Sequence, residues 1–196
     1  MASNVRMKRL MMKLKRQKGL PFVKECLRVH NKYRAIHGST PLRLNSEITS
    51  YAQEWANSLA KREAFEHRPD CLYGENLFSA FDDSDEWLIL ASDPVRCWYS
   101  EIELYTFDEF LVQPKTSNTG RFTQMIWKST LELGVGISLH FSGRVYIVCC
   151  YDPVGNISGN YNANVLPPAK AAKYKDKALR CYFSDIDSNG KDSNVY

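Results

Sequence analysis

The fold is decided by the stretch LGVGISLHFSGRVYIVCCYD, Leu133 to Asp152. Two strand-like runs, LGVGISLH and RVYIVCCYD, are separated by FSG, a connection typical of a β-hairpin. Both faces of the second run are apolar, with Val145, Ile147 and Cys149 on one face and Tyr146, Val148 and Cys150 on the other. A strand that is apolar on both faces is normally covered on both faces, so we expect a layer on each side of this sheet.

The residues before the hairpin carry helical patterns in three stretches: GLPFVKECLRVHNKYRAIHG (19–38), NSEITSYAQEWANSLAKREAF (45–65) and DPVRCWYSEIELY (93–105). Pro21 near the first helical position and Gly38 after the last turn bound the first stretch. Asn45 and Asp93 are the N-cap candidates of the other two. Helices followed by a hairpin predict an α+β fold, a three-layer α-β-α sandwich with a small, mainly antiparallel sheet between helices.

A fourth, shorter helix is predicted in GRFTQMIW, residues 120–127, where the apolar residues fall at helical spacing. Asn118 and Thr119 are its N-cap candidates. Arg121 then lies in the first helical turn, where the helix dipole disfavours a positive charge. The position of this arginine therefore calls for a negative partner or a functional reason.

The chain has 196 residues, which predicts one domain with tails. We divide it into a basic N-terminal arm (1–19), a domain (20–168) and a polar C-terminal tail (169–196). The formal net charge of +4 is unevenly distributed, because residues 1–18 carry seven basic residues and no acidic one. The remaining residues have 19 basic and 22 acidic side chains, a net charge of −3.

The basic residues of the arm are interleaved with apolar residues at helical spacing. The cations are Arg6, Lys8, Arg9, Lys13, Lys15, Arg16 and Lys18. This pattern is typical of a helix that rests on an anionic membrane surface, and a solubilising tail is the alternative. Nucleic acid is not an expected partner, because the arm has no aromatic residues and the rest of the chain is not basic.

Six cysteines are present: Cys26, Cys71, Cys97, Cys149, Cys150 and Cys181. The N-terminal residues do not form the apolar core of a secretory signal, so we expect reduced thiols rather than disulfides. No cysteine or histidine spacing matches a structural zinc site.

Four polar side chains in apolar surroundings are candidates for chemistry: His67, Glu75, Glu101 and Arg121. Two carboxylates and a histidine are suited to a metal site or an acid–base pair. Each of them is also compatible with a surface or capping role, and sequence spacing alone does not bring them together.

Seven motifs, collinear over about residues 20–168, resemble the CAP superfamily of cysteine-rich secretory proteins, insect venom allergens and plant pathogenesis-related proteins. They are HNKYRAIHG, YAQEWANSLA, GENLF, WYSEI, GRFTQMIWKST, LGVG and YIVCCYDPVGN. The few cysteines and the ending NVLPP are most similar to the non-secreted, Golgi-associated and venom-allergen-like subgroup. The resemblance implies an α-β-α sandwich, which agrees with the fold predicted above.

The resemblance also implies a central cleft in which relatives gather two His and two Glu and several bind zinc. By motif, His67 takes the first His position, Glu75 the first Glu and Glu101 the second Glu, while Arg121 stands in the motif that holds the second His. A guanidinium has no lone pair for a metal but forms bidentate ion pairs with carboxylates. We therefore expect no cofactor, weakened zinc binding by the residual ligands, and an ion pair between Arg121 and one of the two glutamates; an Arg121 side chain in solvent is the alternative.

Three function classes follow from the resemblance. The first is a non-enzymatic protein that binds lipid, sterol or a membrane surface. Its loop candidates are Tyr105, Phe107 and Phe110, either exposed or packed on the domain. The second is an extracellular, venom-allergen-like interaction or immunomodulatory module that requires non-conventional export. The third, a metal-dependent hydrolase, lacks a marked nucleophile.

We take the first class as the prediction. The expected partners are anionic lipids, or a sterol or fatty acid, with a homodimer as a further option. The expected location is cytoplasmic or at the periphery of a membrane such as that of the Golgi.

Overall fold

The computed structural model describes residues 16–17, 20–81, 89–107 and 118–169. Its helices are α1 (Phe22–Ile36), α2 (Ser46–Arg62), α3 (Ser92–Ser100), α4 (Gly120–Ile126) and α5 (Tyr161–Asn164), and a 3₁₀ turn, Glu101–Leu104, follows α3. Its strands are β1 (Arg16–Gln17), β2 (Leu20–Pro21), β3 (Arg43–Leu44), β4 (Gly74–Phe81), β5 (Glu132–Leu139) and β6 (Arg144–Asp152). None of the described helices has the length and apolar character needed to cross a bilayer.

The central sheet has four strands in the order β3-β5-β6-β4. The predicted hairpin is β5 and β6, paired antiparallel from Glu132 opposite Asp152 to Leu139 opposite Val145. β4 pairs antiparallel with the other edge of β6, and β3 adds a short parallel pairing to β5. The predicted small, mainly antiparallel sheet is confirmed.

Each face of the sheet packs against helices, as the two apolar faces of β6 predict. Val145, Ile147 and Cys149 belong to a core shared with α1, α3 and α4. The alternating side chains of β6 belong to a second core shared with α2. The three-layer sandwich is therefore confirmed, and β6 lies at its centre because neither face of that strand can be left in water.

Two glycines in β5 allow α2 to pack directly on the sheet. A Cβ atom at Gly134 would lie 2.3 Å from the backbone carbonyl carbon of Ile48, and one at Gly136 would lie 2.3 Å from the backbone oxygen of Ala52. Each added Cβ atom would collide with the backbone of α2, which has little freedom to move away. The GVG of β5 thus has a packing function.

The predicted helix ends are correct in part. Asn45 caps α2 as predicted, since its Oδ1 accepts the backbone N–H groups of Glu47 and Ile48 at 2.8 and 3.2 Å. The prediction for Asp93 is wrong, because α3 begins at Ser92. Asp93 Oδ2 instead accepts the N–H of Leu90 at 2.7 Å, which closes the turn that precedes the helix. Pro21 occupies the N-cap of α1 rather than its first helical position.

The arm meets the domain in a short β-ladder, where Arg16 pairs with Pro21 and Gln17 with Leu20. The other predicted arm cations (Arg6, Lys8, Arg9, Lys13, Lys15 and Lys18) lie outside the described residues, as do Phe110, Cys181 and residues 170–196 of the predicted tail. The predictions for them, and the three-part division of the chain, stay predictions.

Candidate functional site

The carboxylate of Glu101 caps helix α4. Its Oε2 accepts the backbone N–H groups of Arg121 and Phe122 at 3.1 and 3.0 Å. Its Oε1 forms an ion pair with Arg121 Nε. Thr119 holds the N-cap position, but the acceptor for the first N–H groups comes from the 3₁₀ turn after α3. A carboxylate at this end of a helix also offsets the unfavourable interaction of Arg121 with the helix dipole.

Burial makes this pair asymmetric. The Glu101 side chain is 8% exposed, whereas that of Arg121 is 37% exposed. Burial raises the pKa of Glu101 above its ordinary value, and the Arg121 cation together with the two N–H donors acts in the opposite direction. The guanidinium therefore serves as the charge partner of a carboxylate that would otherwise be desolvated.

A second pair joins His67 to Glu75. His67 Nδ1 lies 2.7 Å from Glu75 Oε1, and the backbone N–H of Arg68 donates to the same oxygen at 3.2 Å. The Glu75 side chain is 3% exposed and that of His67 is 67% exposed. Among the described residues, Glu75 Oε2 is buried and has no hydrogen-bond partner. This pair is thus open to solvent on the imidazole side only.

Strand β4 brings the two pairs to neighbouring positions. Glu75 lies opposite Cys150 on the face that packs on α2, and the next residue, Asn76, lies opposite Cys149 on the other face. Asn76 Nδ2 donates to the backbone oxygen of Arg121 at 3.0 Å, which links β4 to the first turn of α4. The structure therefore relates all four predicted residues to the start of β4 and the start of α4, as two hydrogen-bonded couples.

Two of these four residues, Glu101 and Arg121, are poor zinc ligands as they are paired here, and weakened zinc binding stays a prediction. Zinc in proteins takes three or four His, Cys or carboxylate ligands with free lone pairs. Both Glu101 oxygens already accept hydrogen bonds or the Arg121 cation, and the Arg121 guanidinium offers no lone pair. Within the described part of the chain, no three His, Cys, Asp or Glu residues are grouped so that they would hold a metal ion.

The C-terminal end of α4 is held by a buried arginine of α1. Arg34 is 0% exposed. Its NH1 donates to the backbone oxygens of Met125 and Trp127 at 2.9 Å, and its NH2 donates to that of Thr130 at 2.8 Å. A cation at this end complements the negative pole of the helix, so charged side chains hold α4 at both ends.

The model of the "Cysteine-rich secretory protein family", CAP, matches residues 27–151. The chain belongs to the CAP family. It is 37% identical over 156 residues to the Golgi-associated plant pathogenesis-related protein 1 of Homo sapiens, a match that covers 76% of this chain and 95% of the relative. It is 32% identical over 160 residues to the Repressed by EFG1 protein 1 of Candida albicans, of which it spans only 55%.

The solved structures agree on the fold. The structure of BmVAL-1 superposes with a TM-score of 0.58 at 24% identity, covering 70% of this chain and 79% of that one. Identity at this level shows the CAP fold alone. The resemblance stated from the sequence motifs is thereby confirmed, and so is the α-β-α architecture.

Two of the three aromatic loop candidates lie against the CAP domain. Tyr105 and Phe107 are half-buried and pack on the core. Their ring centroids are 4.8 Å apart, and the Tyr105 ring lies 5.5 Å from that of Phe122 in α4. Burial raises the pKa of Tyr105 to about 12. These rings therefore support the first turns of α4, which carries Arg121.

Sequence reasoning did not identify the buried polar residues of α1. His30 and Arg34 are both fully buried, and His30 Nε2 lies 2.9 Å from the hydroxyl of Tyr151, which in turn accepts from Asn76 Nδ2 at 3.2 Å. A signal was available, since His30, Arg34 and His37 recur at i, i+4 and i+7 next to the apolar stripe of the helix. Polar residues at such positions indicate an internal hydrogen-bond network.

Proposed function

We propose that this CAP protein is a non-enzymatic module that binds anionic lipid surfaces through residues 1–18, and that Arg121 takes the place of a metal ligand in its cleft. The separation of charge carries the first part of the proposal. Seven basic residues precede a remainder of net charge −3. Each Lys or Arg near an anionic bilayer contributes about 1 kcal/mol of attraction. The net negative remainder of the chain is repelled by the same surface.

The geometry of the Glu101–Arg121 pair supports the second part. A general base or metal ligand needs an accessible lone pair. The Glu101 carboxylate is occupied by two backbone N–H groups and Arg121. Arg121 itself is protonated at any working pH and offers no lone pair. The Glu101–Arg121 pair, which is internally neutralised in this way, is suited to structure or binding rather than to hydrolysis.

The name of the human relative places that protein at the Golgi. A location at the cytoplasmic face of an anionic membrane is our corresponding proposal for this chain. A sterol or a fatty acid would reach the protein from the membrane. The vesicle experiment below therefore also tests these ligands, by comparing binding to vesicles with and without the added sterol or fatty acid.

The test is co-sedimentation of the full chain with phosphatidylcholine vesicles that contain either no phosphatidylserine or about 30 mol% of it. The vesicles with phosphatidylserine represent an anionic leaflet. The test variant changes Lys8, Arg9, Lys13 and Lys15 to Gln. The control variant changes four exposed domain lysines to Gln: Lys24, Lys32, Lys61 and Lys128. Both variants lose four positive charges.

At about 1 kcal/mol per residue, the arm variant should bind anionic vesicles at least about tenfold more weakly than the wild type. The control variant should bind within about twofold of the wild type. Wild-type binding should fall as salt rises from 0.1 to 0.5 M, because the Debye length shortens as ionic strength increases. Equal losses in the two variants would show non-specific charge attraction. An arm variant that binds as well as the wild type would contradict the proposal.

A further inference from the structure

The most exposed large apolar side chain of the described residues lies at the tip of the β5–β6 hairpin. Phe141 is 81% exposed. Two backbone hydrogen bonds close the turn that carries it, from the His140 N–H to the Arg144 oxygen at 2.8 Å and from the Gly143 N–H to the His140 oxygen at 3.0 Å. Gly143 has a φ of +99°, which glycine adopts without strain. The phenylalanine ring is therefore displayed on an ordered turn.

The residues on either side of Phe141 are tied to the end of α2. His140 Nδ1 lies 2.7 Å from Glu63 Oε1, and the Ser142 hydroxyl donates to the same carboxylate oxygen at 3.0 Å. His140 is buried, and its ring packs on that of Phe141 with the two centroids 3.8 Å apart. Because its neighbours are held inward, Phe141 is presented outward, and a partner that covers it does not have to order the loop first.

The basic arm enters the domain at this end of the sheet. α1 runs alongside β6 in the same direction. Cys26 Sγ lies 3.9 Å from Cys149 Sγ, and about one helical turn later His30 Nε2 lies 2.9 Å from the Tyr151 hydroxyl. Four helical residues and two strand residues both advance about 6–7 Å, so helix and strand stay in step. The N-terminal end of α1, and the β1–β2 ladder before it, therefore lie beside the first residues of β6, next to the hairpin turn.

Phe81 adds a second exposed ring at this end. It is the last residue of β4, lies opposite Arg144 in the ladder and is 55% exposed. A lone exposed phenylalanine is ordinary in a globular protein, whereas apolar side chains gathered at one end indicate contact with a partner or a membrane. The His67–Glu75 pair lies at the opposite end of the sheet. Glu75 is opposite Cys150, which is six residues beyond Arg144 along β6 and therefore about 20 Å away.

We propose that the aromatic tip, formed by Phe81 and Phe141, docks on the anionic bilayer that the arm recruits, with the Phe141 ring inserted at the lipid interface. This inference rests on the lipid-binding function proposed above. The arm supplies the electrostatic attraction, and aromatic rings at headgroup level add apolar contact. The domain then stands end-on, and the His67–Glu75 pair faces the aqueous side, about 20 Å from the bilayer surface.

The charges near the tip decide which force can hold it. Four acidic residues follow Phe81 in the sequence and lie outside the described residues: Asp82, Asp83, Asp85 and Glu86. Their charge opposes an anionic surface, so the contribution of the tip must come from burial of the rings. Salt screens both the attraction of the arm and this repulsion, whereas ring burial is not electrostatic. The contributions of the arm and the tip can therefore be separated by ionic strength.

The test uses the full chain and the vesicles described above. Phe141→Ser is the test variant. Leu72→Ser is the matched control, because Leu72 is 74% exposed and comes just before β4, at the opposite end of the sheet. Complete burial of a phenylalanine ring changes a binding constant by about 10- to 100-fold. For a ring inserted at the interface we expect Phe141→Ser to bind at least about fivefold more weakly than the wild type, and Leu72→Ser within about twofold. The ratio of wild-type to Phe141→Ser binding should not fall when salt is raised from about 0.1 to 0.3 M.

A second measurement locates the ring in the bilayer. Phe141→Trp and Leu72→Trp each add one tryptophan to the four of the chain. Vesicles with brominated acyl chains should quench the added fluorescence of Phe141→Trp but not that of Leu72→Trp. Phe141→Trp should also bind at least as tightly as the wild type, because an indole ring favours the membrane interface.

The outcomes distinguish this inference from the proposal for the arm. Loss of binding in the arm variant together with wild-type binding by Phe141→Ser would overturn docking of the tip and leave the arm proposal standing. A loss in Phe141→Ser alone would contradict the arm proposal and support the tip. If the lipid-free wild type sediments as a dimer that Phe141→Ser dissociates, the aromatic tip contacts a second copy of the chain and membrane docking is overturned. Equal quenching of Phe141→Trp and Leu72→Trp would also overturn it.

Discussion

Replacing Arg121 by Ala tests whether its guanidinium is the charge partner of Glu101. The variant leaves a carboxylate that is 8% exposed with two backbone N–H donors and no cation. Loss of a charge-assisted hydrogen bond costs about 1.5–3 kcal/mol, and the 37% exposure of Arg121 places the expected value near the lower part of that range. We expect a loss of about 2 kcal/mol in the free energy of unfolding, or about 4–8 °C in Tm.

The pH dependence of that loss is diagnostic. Burial already raises the pKa of Glu101, and the Arg121 cation holds it down. Without Arg121 the pKa in the folded state rises further above the unfolded value. An acid with a raised folded pKa favours folding at low pH, and this contribution is lost as the pH rises through the folded pKa. The variant should therefore be most destabilised near pH 7–8 and approach the wild type near pH 4–5.

Urea denaturation followed by tryptophan fluorescence at pH 7.5 and pH 4.5 provides the measurement. Arg62→Ala is the matched control, because Arg62 pairs with Glu66 at 2.6 Å with both side chains exposed. Such a pair contributes about 0–1 kcal/mol. A second check is the cycle with Glu101→Gln, in which the double variant should cost about 1.5 kcal/mol less than the sum of the single ones. Additive losses, or a loss from Arg121→Ala that is the same at both pH values, would refute the pairing.

Four other variants or conditions test the site and the fold. Arg121→His should increase zinc affinity over the wild type in calorimetric titration, and equal, tight binding by both proteins would show that Arg121 does not oppose the metal. Arg34→Lys should lower the unfolding free energy by about 3 kcal/mol, since one ammonium cannot serve several carbonyls of different orientation, and a loss below about 1 kcal/mol in urea would contradict that role. Gly136→Ala should cost at least about 2 kcal/mol, because its Cβ would lie 2.3 Å from the Ala52 backbone oxygen; an unchanged Tm would argue against close packing of α2 on β5. In reducing buffer the protein should keep its near-ultraviolet circular dichroism and a cooperative melt, and a large loss of Tm on reduction would reveal structural disulfides.

Most of the fold was predictable because the signals are local. The two apolar faces of β6 predict helices on both sides, and the 3.6-residue pattern of α2 with its Asn45 cap gives both the helix and its buried face. The predicted start of α3 is wrong because the Asp93 carboxylate can accept N–H groups either from its own helix or from the turn before it. Whether it caps its own helix or binds the N–H of Leu90 depends on the packing of the preceding residues, which the sequence does not display.

The sequence motifs name the candidate site residues but not the contacts between them. The motifs that resemble CAP proteins point to His67, Glu75, Glu101 and Arg121, and a carboxylate is the predicted partner of Arg121. The choice of Glu101 rather than Glu75 depends on tertiary geometry. Asn76 holds the backbone oxygen of Arg121 at 3.0 Å, and the 3₁₀ turn carries Glu101 to the N–H groups of α4. Neither contact is encoded within one segment.

The arginine in the first turn of α4 is stabilised because the helix is held by charges at both ends. A helix of seven residues has little intrinsic stability, and its first N–H groups and last carbonyls need external partners. The Glu101 carboxylate supplies the acceptor at one end, and the Arg34 guanidinium supplies donors at the other. Both charges have the sign that the helix dipole favours. Arg121 is then the counter-ion of its own helix cap, and any ligand that competes for Glu101 must also break the N-terminal hydrogen bonds of α4.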